Sequence, residues 1–122
     1  MEWHIDSDRP VYRQLIDQIK IGIIAGVFAP GEKLPSVREL AGQAAVNPNT
    51  MQRALAEMEG TGLVYAQRTS GRFITEDIGM IKEVKYGVAL KEIEEFLEKM
   101  SQLGFTKKDV VQLIGEMEGV QS

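Results

Sequence analysis

A helical stripe, two short helical segments joined by a tight turn, a strand–turn–strand and two further helical stripes follow one another along the 122 residues. That order predicts a mainly α fold with a small β-hairpin. Two local signals sharpen it: a capping-box pattern at Ser36–Glu39, and an Asn47-Pro48 helix start just beyond it. Helix, tight turn, helix and hairpin together make a winged helix-turn-helix. We place this unit at residues 1–76 and a two-helix C-terminal segment, read as a dimerisation segment, at 77–122.

The first nine residues read as an irregular lead. Pro10 then marks the first turn of a helix running to about Gly26, since proline's missing N–H costs nothing there. Tyr12, Leu15, Ile16, Ile19 and Ile23 recur at three- and four-residue spacing and share one face. Pro30-Gly31 to Pro35 forms a tight loop with room for only a short strand. The next helix spans about Ser36 to Ala44: the serine oxygen accepts from the Glu39 amide, and the glutamate reaches back to the serine amide. After a three- or four-residue turn, Asn47 caps a third helix with Met51, Ala54, Leu55 and Met58 inward, and Gly60 and Gly62 stop it. Leu63–Ala66 and Arg72–Thr75 are β-branched and aromatic, with a polar tip at Gln67–Gly71. Gly79 marks a boundary. A long helix with Ile81, Val84, Val88, Ile93, Leu97 and Met100 runs to about Leu103, and Thr106–Asp109 caps a last one with Val110, Leu113, Ile114 and Met117.

Composition excludes several function classes. There is no cysteine, so disulfides, thiolate metal sites and cysteine nucleophiles are out. The start lacks a basic segment followed by an apolar one, and no apolar stretch approaches the roughly 20 residues of a membrane span, so a cytoplasmic protein is expected. His4, the single histidine, has no ligand cluster around it and reads as a surface residue. Gly60-Thr61-Gly62 lacks the Gly-Lys-Ser/Thr ending of a phosphate loop, and no nucleophile–base set has credible spacing. No enzyme, cofactor or metal is expected. Net charge is −4, yet residues 33–75 carry Lys33, Arg38, Arg53, Arg68 and Arg72 against Glu39, Glu57 and Glu59. This middle stretch is the only net-positive one.

The third helix carries the function. At its start stand Asn47, Asn49, Thr50, Gln52 and Arg53, none needed for packing. Amides pair with adenine edges and arginine with guanine or phosphate, while a free helix N-terminus favours an anion. The hairpin tip, with Arg68 and Arg72 around Thr69-Ser70-Gly71, is short and basic enough to lie along a DNA backbone.

These segments also carry a resemblance. Leu34-Pro35-Ser36-Val37-Arg38-Glu39-Leu40-Ala41, Val46-Asn47-Pro48-Asn49-Thr50-Met51-Gln52-Arg53-Ala54-Leu55 and Glu59-Gly60-Thr61-Gly62-Leu63-Val64 resemble the GntR family of regulators. Pro10-Val11-Tyr12-Arg13-Gln14-Leu15 and Gly31–Pro35 extend the likeness over roughly residues 9–75. The resemblance implies DNA contacts from Ser36 and Arg38 on the second helix, from Asn47, Pro48, Asn49, Thr50, Gln52 and Arg53 on the third, and from the wing, Arg68, Thr69, Ser70, Gly71 and Arg72. Two positions depart from the pattern: Thr69 stands where many relatives have glycine, and Pro48 where some carry a basic base-reading residue.

The tail is too short for the family's larger effector domains and resembles the short tail of the YtrA-type subfamily, which implies dimerisation. Amphipathic stripes that cannot bury themselves point the same way, although packing on the first helix of the same chain is the other outlet. The expected partner is a two-fold symmetric double-stranded DNA operator held by a homodimer, and family habit favours a repressor. With no separate sensing domain, any small-molecule effector has to bind at the dimer interface or between the tail and the DNA-binding part. The acidic total leaves one competing reading, a winged-helix protein–protein interaction module.

Overall fold

A computed structural model describes residues 1–119, and residues 120–122 of the expected tail lie outside the described residues. The chain packs as two units, Met1–Val84 and the residues from Lys85 onward. Five helices and one two-stranded antiparallel sheet follow in the expected order.

α1 (Val11–Ile24) begins behind Pro10, which takes the extended N-cap position rather than a place in the first turn. Leu15, Ile19 and Ile23 are buried, while Ile16 and Tyr12 stay at the margin. The lead is more ordered than its composition suggests. Gln14, 1% exposed, accepts from the Asp6 amide at 2.9 Å and donates to the Asp6 and Arg9 carbonyls at 2.8 and 2.9 Å. One turn later Gln18 repeats this with the amide and carbonyl of His4, at 3.0 and 2.7 Å. Two side-chain amides thus offer the lead the pairing a neighbouring strand would give it. After α1, the Phe28 amide donates to the Gly22 carbonyl at 3.1 Å, and the phenyl ring folds onto Gly22. A β-carbon there would sit 2.9 Å from two ring carbons.

α2 (Val37–Ala44) carries the capping box: Glu39 N donates to Ser36 Oγ at 3.1 Å, and Ser36 N to Glu39 Oε1 at 3.3 Å. It ends at Ala45 with φ 57°, the only non-glycine residue of positive φ among those described. Ala45, Val46 and Asn47 form the turn into α3 (Pro48–Thr61), where Asn47 Oδ1 accepts from the Asn49 amide at 2.8 Å. Gly62 closes α3 at φ 85°, a left-handed geometry that any side chain strains. Met51, Ala54, Leu55 and Met58 are at most 1% exposed. Each large one contributes about 1.5–3 kcal/mol, so their burial against α1, α2 and β1 fixes the rotation of α3 about its axis.

β1 (Val64–Gln67) and β2 (Gly71–Ile74) pair as expected, shifted by one residue, and the Thr75 amide extends the ladder to the Leu63 carbonyl at 2.9 Å. Tyr65 and Phe73 face each other in register and stack, centroids 5.7 Å apart. The short strand expected before α2 is a single bridge, Lys33 to Phe73, flanked by bonds from Leu34 N to Arg72 O and Ile74 N to Glu32 O, both 2.9 Å.

Gly79 is not a boundary. It lies in the first turn of α4 (Ile78–Gln102), which starts three residues earlier than its apolar stripe because Asp77 Oδ1 accepts from the Met80 amide at 3.0 Å. Ile81 is buried in the core of the first unit. In the second unit, α5 (Lys107–Glu116) opens on a Thr106–Asp109 capping box and buries Val110. Tyr86, Leu90, Ile93 and Phe96 on α4, and Val111, Leu113, Ile114 and Met117 on and just after α5, are exposed. Leu103 between them is 70% exposed.

Two outcomes follow from this packing. Gly22→Ala gains up to about 1 kcal/mol of helix propensity but drives a β-carbon into the Phe28 ring, a strain of about 1–3 kcal/mol. Urea unfolding should therefore find the variant less stable than wild type. The Thr106 amide, and then its hydroxyl, hold the Asp109 carboxyl below its ordinary 3.8. A lowered acid stabilises the native state fully above the ordinary carboxylate range, and that share is lost as pH falls through the lowered midpoint. Carbon-13 titration should place the Asp109 midpoint below 3.8, and Asp109→Asn should abolish that acid-limb dependence.

Candidate nucleic-acid interface

The helix-turn-helix places its polar residues by default. Because Met51, Ala54, Leu55 and Met58 turn inward, Asn47, Pro48, Asn49, Gln52 and Arg53 are exposed, and Thr50 is half-buried. Asn47 has spent its side-chain oxygen on the helix cap, so toward a ligand it presents its NH2 group, a donor only. Gln52 makes no hydrogen bond to the protein among the described residues and keeps both a donor and an acceptor end. Arg38 is exposed on α2.

Between the head of α2 and the wing lies an open cleft of about 690 Å³, lined among others by Lys33, Ser36, Ser70, Gly71 and Arg72. The fold therefore gathers Ser36 and four wing residues, Thr69 to Arg72, in one recess. Arg68 and Thr69 belong to the exposed turn between the strands, and Thr69 also borders the cleft. Lys33, counted from the sequence only as a charge, shares that recess through the bridge that lays residues 32–34 against β2.

Arg72 stands apart from the others. Its Nε donates to Glu59 Oε1 at 3.1 Å, with the two side chains 19% and 30% exposed. This pair ties β2, one register position from the turn of the wing, to the last turn of α3. It also resolves the charge of the middle segment. Of its three acidic residues, Glu59 is paired with Arg72, Glu39 is held in the α2 cap, and Glu57 is exposed without an ion-pair partner among the described residues. Lys33, Arg38, Arg53 and Arg68 have no ion-pair partner among the described residues. The unit thus offers uncompensated cations and amide edges on α2, α3 and the wing, the inventory that phosphate and base edges require.

One further neighbour was invisible to helical periodicity. Tyr12, assigned from its spacing to the apolar face of α1, lies beneath Arg53, whose guanidinium carbon is 3.6 Å from the ring centroid. The Arg13 guanidinium carbon is 5.4 Å from the same centroid.

Comparison with known proteins bears on the fold and the family. A model of the bacterial regulatory proteins of the gntR family matches residues 11–74. The HTH-type transcriptional regulator YhcF of Bacillus subtilis is 40% identical, over 92% of this chain and 93% of YhcF. The HTH-type transcriptional repressor YtrA of the same bacterium is 36% identical, over 78% of this chain and 87% of YtrA. Among solved structures, a GntR family transcriptional regulator from Listeria monocytogenes superposes with a TM-score of 0.86 at 38% identity, covering 93% of this chain and 100% of that one. AraR(DBD) in complex with operator ORE1 superposes with a TM-score of 0.53 at 27% identity, covering 62% of this chain and 94% of that one.

The Arg72–Glu59 pair is measurable. A double-mutant cycle with Arg72→Gln and Glu59→Gln, read by urea unfolding, should give a coupling of about 0.5–1.5 kcal/mol, more than a fully solvated pair delivers. Strict additivity would mean that the pair adds nothing to the hold that the backbone ladder and the buried Val64 and Ile74 already give the wing.

Proposed function

This chain belongs to the gntR family of bacterial regulatory proteins, and from that membership we propose that it represses transcription as a cytoplasmic homodimer on a two-fold symmetric DNA operator. The relatives cited above are transcriptional regulators rather than enzymes. The observation that carries the reading is the state of α3: its apolar side is sealed in the core, while the amide and guanidinium tips at its start are exposed. In this arrangement the head of α3 enters the major groove, and Gln52, Asn49 and Asn47 meet base edges. Arg38 and the wing residues Arg68, Thr69 and Ser70 follow the backbone, with Ser36, Gly71 and Lys33 around the recess between them. Pro48 fixes the first turn of α3 and contributes contact without a hydrogen bond. Arg72 acts from within the protein, through Glu59, as the hinge post of the wing.

Dimerisation is assigned to the C-terminal segment, residues 77–122. Ile93 and Phe96 on α4, with Ile114 on α5 and Met117 just after it, leave apolar surface in water, and a second copy is the simplest cover for it. Two-fold symmetry then spaces the half-sites by one helical turn or a multiple, with one turn about 34–36 Å. No helix of the described residues is long and apolar enough to cross a membrane. The repressor assignment is supported by the name of YtrA, a transcriptional repressor.

Selection of genomic fragments by the purified protein, followed by footprinting, tests this directly. A palindromic footprint is expected, with log affinity falling linearly as log salt rises. Gln52→Ala should cost about 1–3 kcal/mol, concentrated at one base position per half-site, whereas Arg38→Ala should weaken all sequences alike. Ile93→Glu should yield monomers in sedimentation velocity and lose operator affinity. Affinity indifferent to salt would replace the DNA reading with a protein–protein one.

A further inference from the structure

We propose that Tyr12 is the positioning residue that holds Arg53 flat for a DNA backbone phosphate, which brings the first turn of α1 into the interface. The inference rests on the reading of the α3 head as the DNA-facing surface and assigns one side chain of that surface its ligand. At 3.6 Å from the centroid, the Arg53 guanidinium is in van der Waals contact with the ring face. A stack of this kind consumes the face of the guanidinium and leaves its in-plane N–H edge open. Arg53 makes no hydrogen bond or ion pair to the protein among the described residues, and its side chain is exposed. Arginine ordinarily loses much rotamer freedom on docking; here the ring has already removed most of it.

The support itself is firm. Tyr12 is half-buried, one helical turn from Ile16 and three residues from Leu15, which lies in the core. A floor anchored in α1 thus sets the height of a cation carried by α3. Arg13 brings a second guanidinium carbon to 5.4 Å from the same ring, again without an ion-pair partner among the described residues. Two unneutralised cations on one aromatic ring, supplied by two helices, match an oxyanion. A base edge carries no net charge to answer two cations. Arg53 is therefore a sequence-independent anchor, and base reading is left to Gln52 and the asparagines.

The test uses the full chain with two probes: a mixed-sequence 30-base-pair duplex at low salt and the fragment recovered by genomic selection. Arg53→Ala should weaken both alike and lower the salt slope by about one. Tyr12→Leu should weaken both about three- to tenfold, Tyr12→Phe should restore the affinity, and Tyr12→Leu in the Arg53→Ala background should add nothing. In the free protein, the Arg53 δ-methylene protons should be shifted upfield by the ring in wild type and Tyr12→Phe, a measurement that stands even if Tyr12→Leu fails to fold. The proposal is overturned if those protons resonate at ordinary positions. It fails equally if Tyr12→Leu weakens binding as much without Arg53, or if the Arg53→Ala loss is confined to one base pair with the salt slope unchanged. If wild type binds neither probe, the DNA reading itself is wrong, an outcome distinct from these.

Discussion

The seating of α3 is the constraint on which the rest of the molecule depends. Met51, Leu55 and Met58 fill the space between α1, α2 and the wing, and turning the helix over would return all three to water at a cost of several kcal/mol. No interaction on the polar side has a comparable stake. Caps and single ion pairs contribute about 1 kcal/mol each. The exposed position of Asn49, Gln52 and Arg53 is thus a by-product of core packing, and it is available before any ligand arrives. Preorganisation of this kind reduces what association must spend on ordering side chains.

Most of this was legible in the sequence because it depends on neighbours a few residues apart. Ser36 and Glu39 stand at capping-box spacing, Asn47-Pro48 opens a helix, and the stripe from Met51 to Met58 repeats with the helical period. Gly60 and Gly62 promise a stop, and Gly62 supplies it. What stayed hidden is what joins distant segments. Glu59 and Arg72 are thirteen residues apart and meet only because the hairpin folds back on α3. Tyr12 and Arg53 meet only because α1 packs on α3. Gln14 is buried because the lead returns across five to eight residues of sequence to satisfy its amide, a pairing no local pattern announces. Gly79 misled because glycine punctuates helices on average, whereas here Asp77 caps the helix ahead of it.

Charge divides along the same lines. The segment that carries the amide-rich helix is the only net-positive one, and of its three carboxylates Glu59 pairs with Arg72 while Glu39 accepts from the Ser36 amide at the surface. The residues after 75 are acidic overall. Within a chain of net charge −4, the cations without a carboxylate partner among the described residues thus include Lys33, Arg38, Arg53 and Arg68 of the middle segment.

The turn between α2 and α3 has a consequence of its own. Ala45 sits in the left-handed region, a conformation that costs an alanine about 1–2 kcal/mol and persists only when the surroundings impose it. A joint kept under such tension behaves as a set-square and not as a swivel. The angle at which the two helices meet is thereby built into the chain itself, as a fixed corner that Ala45 imposes on α2 and α3.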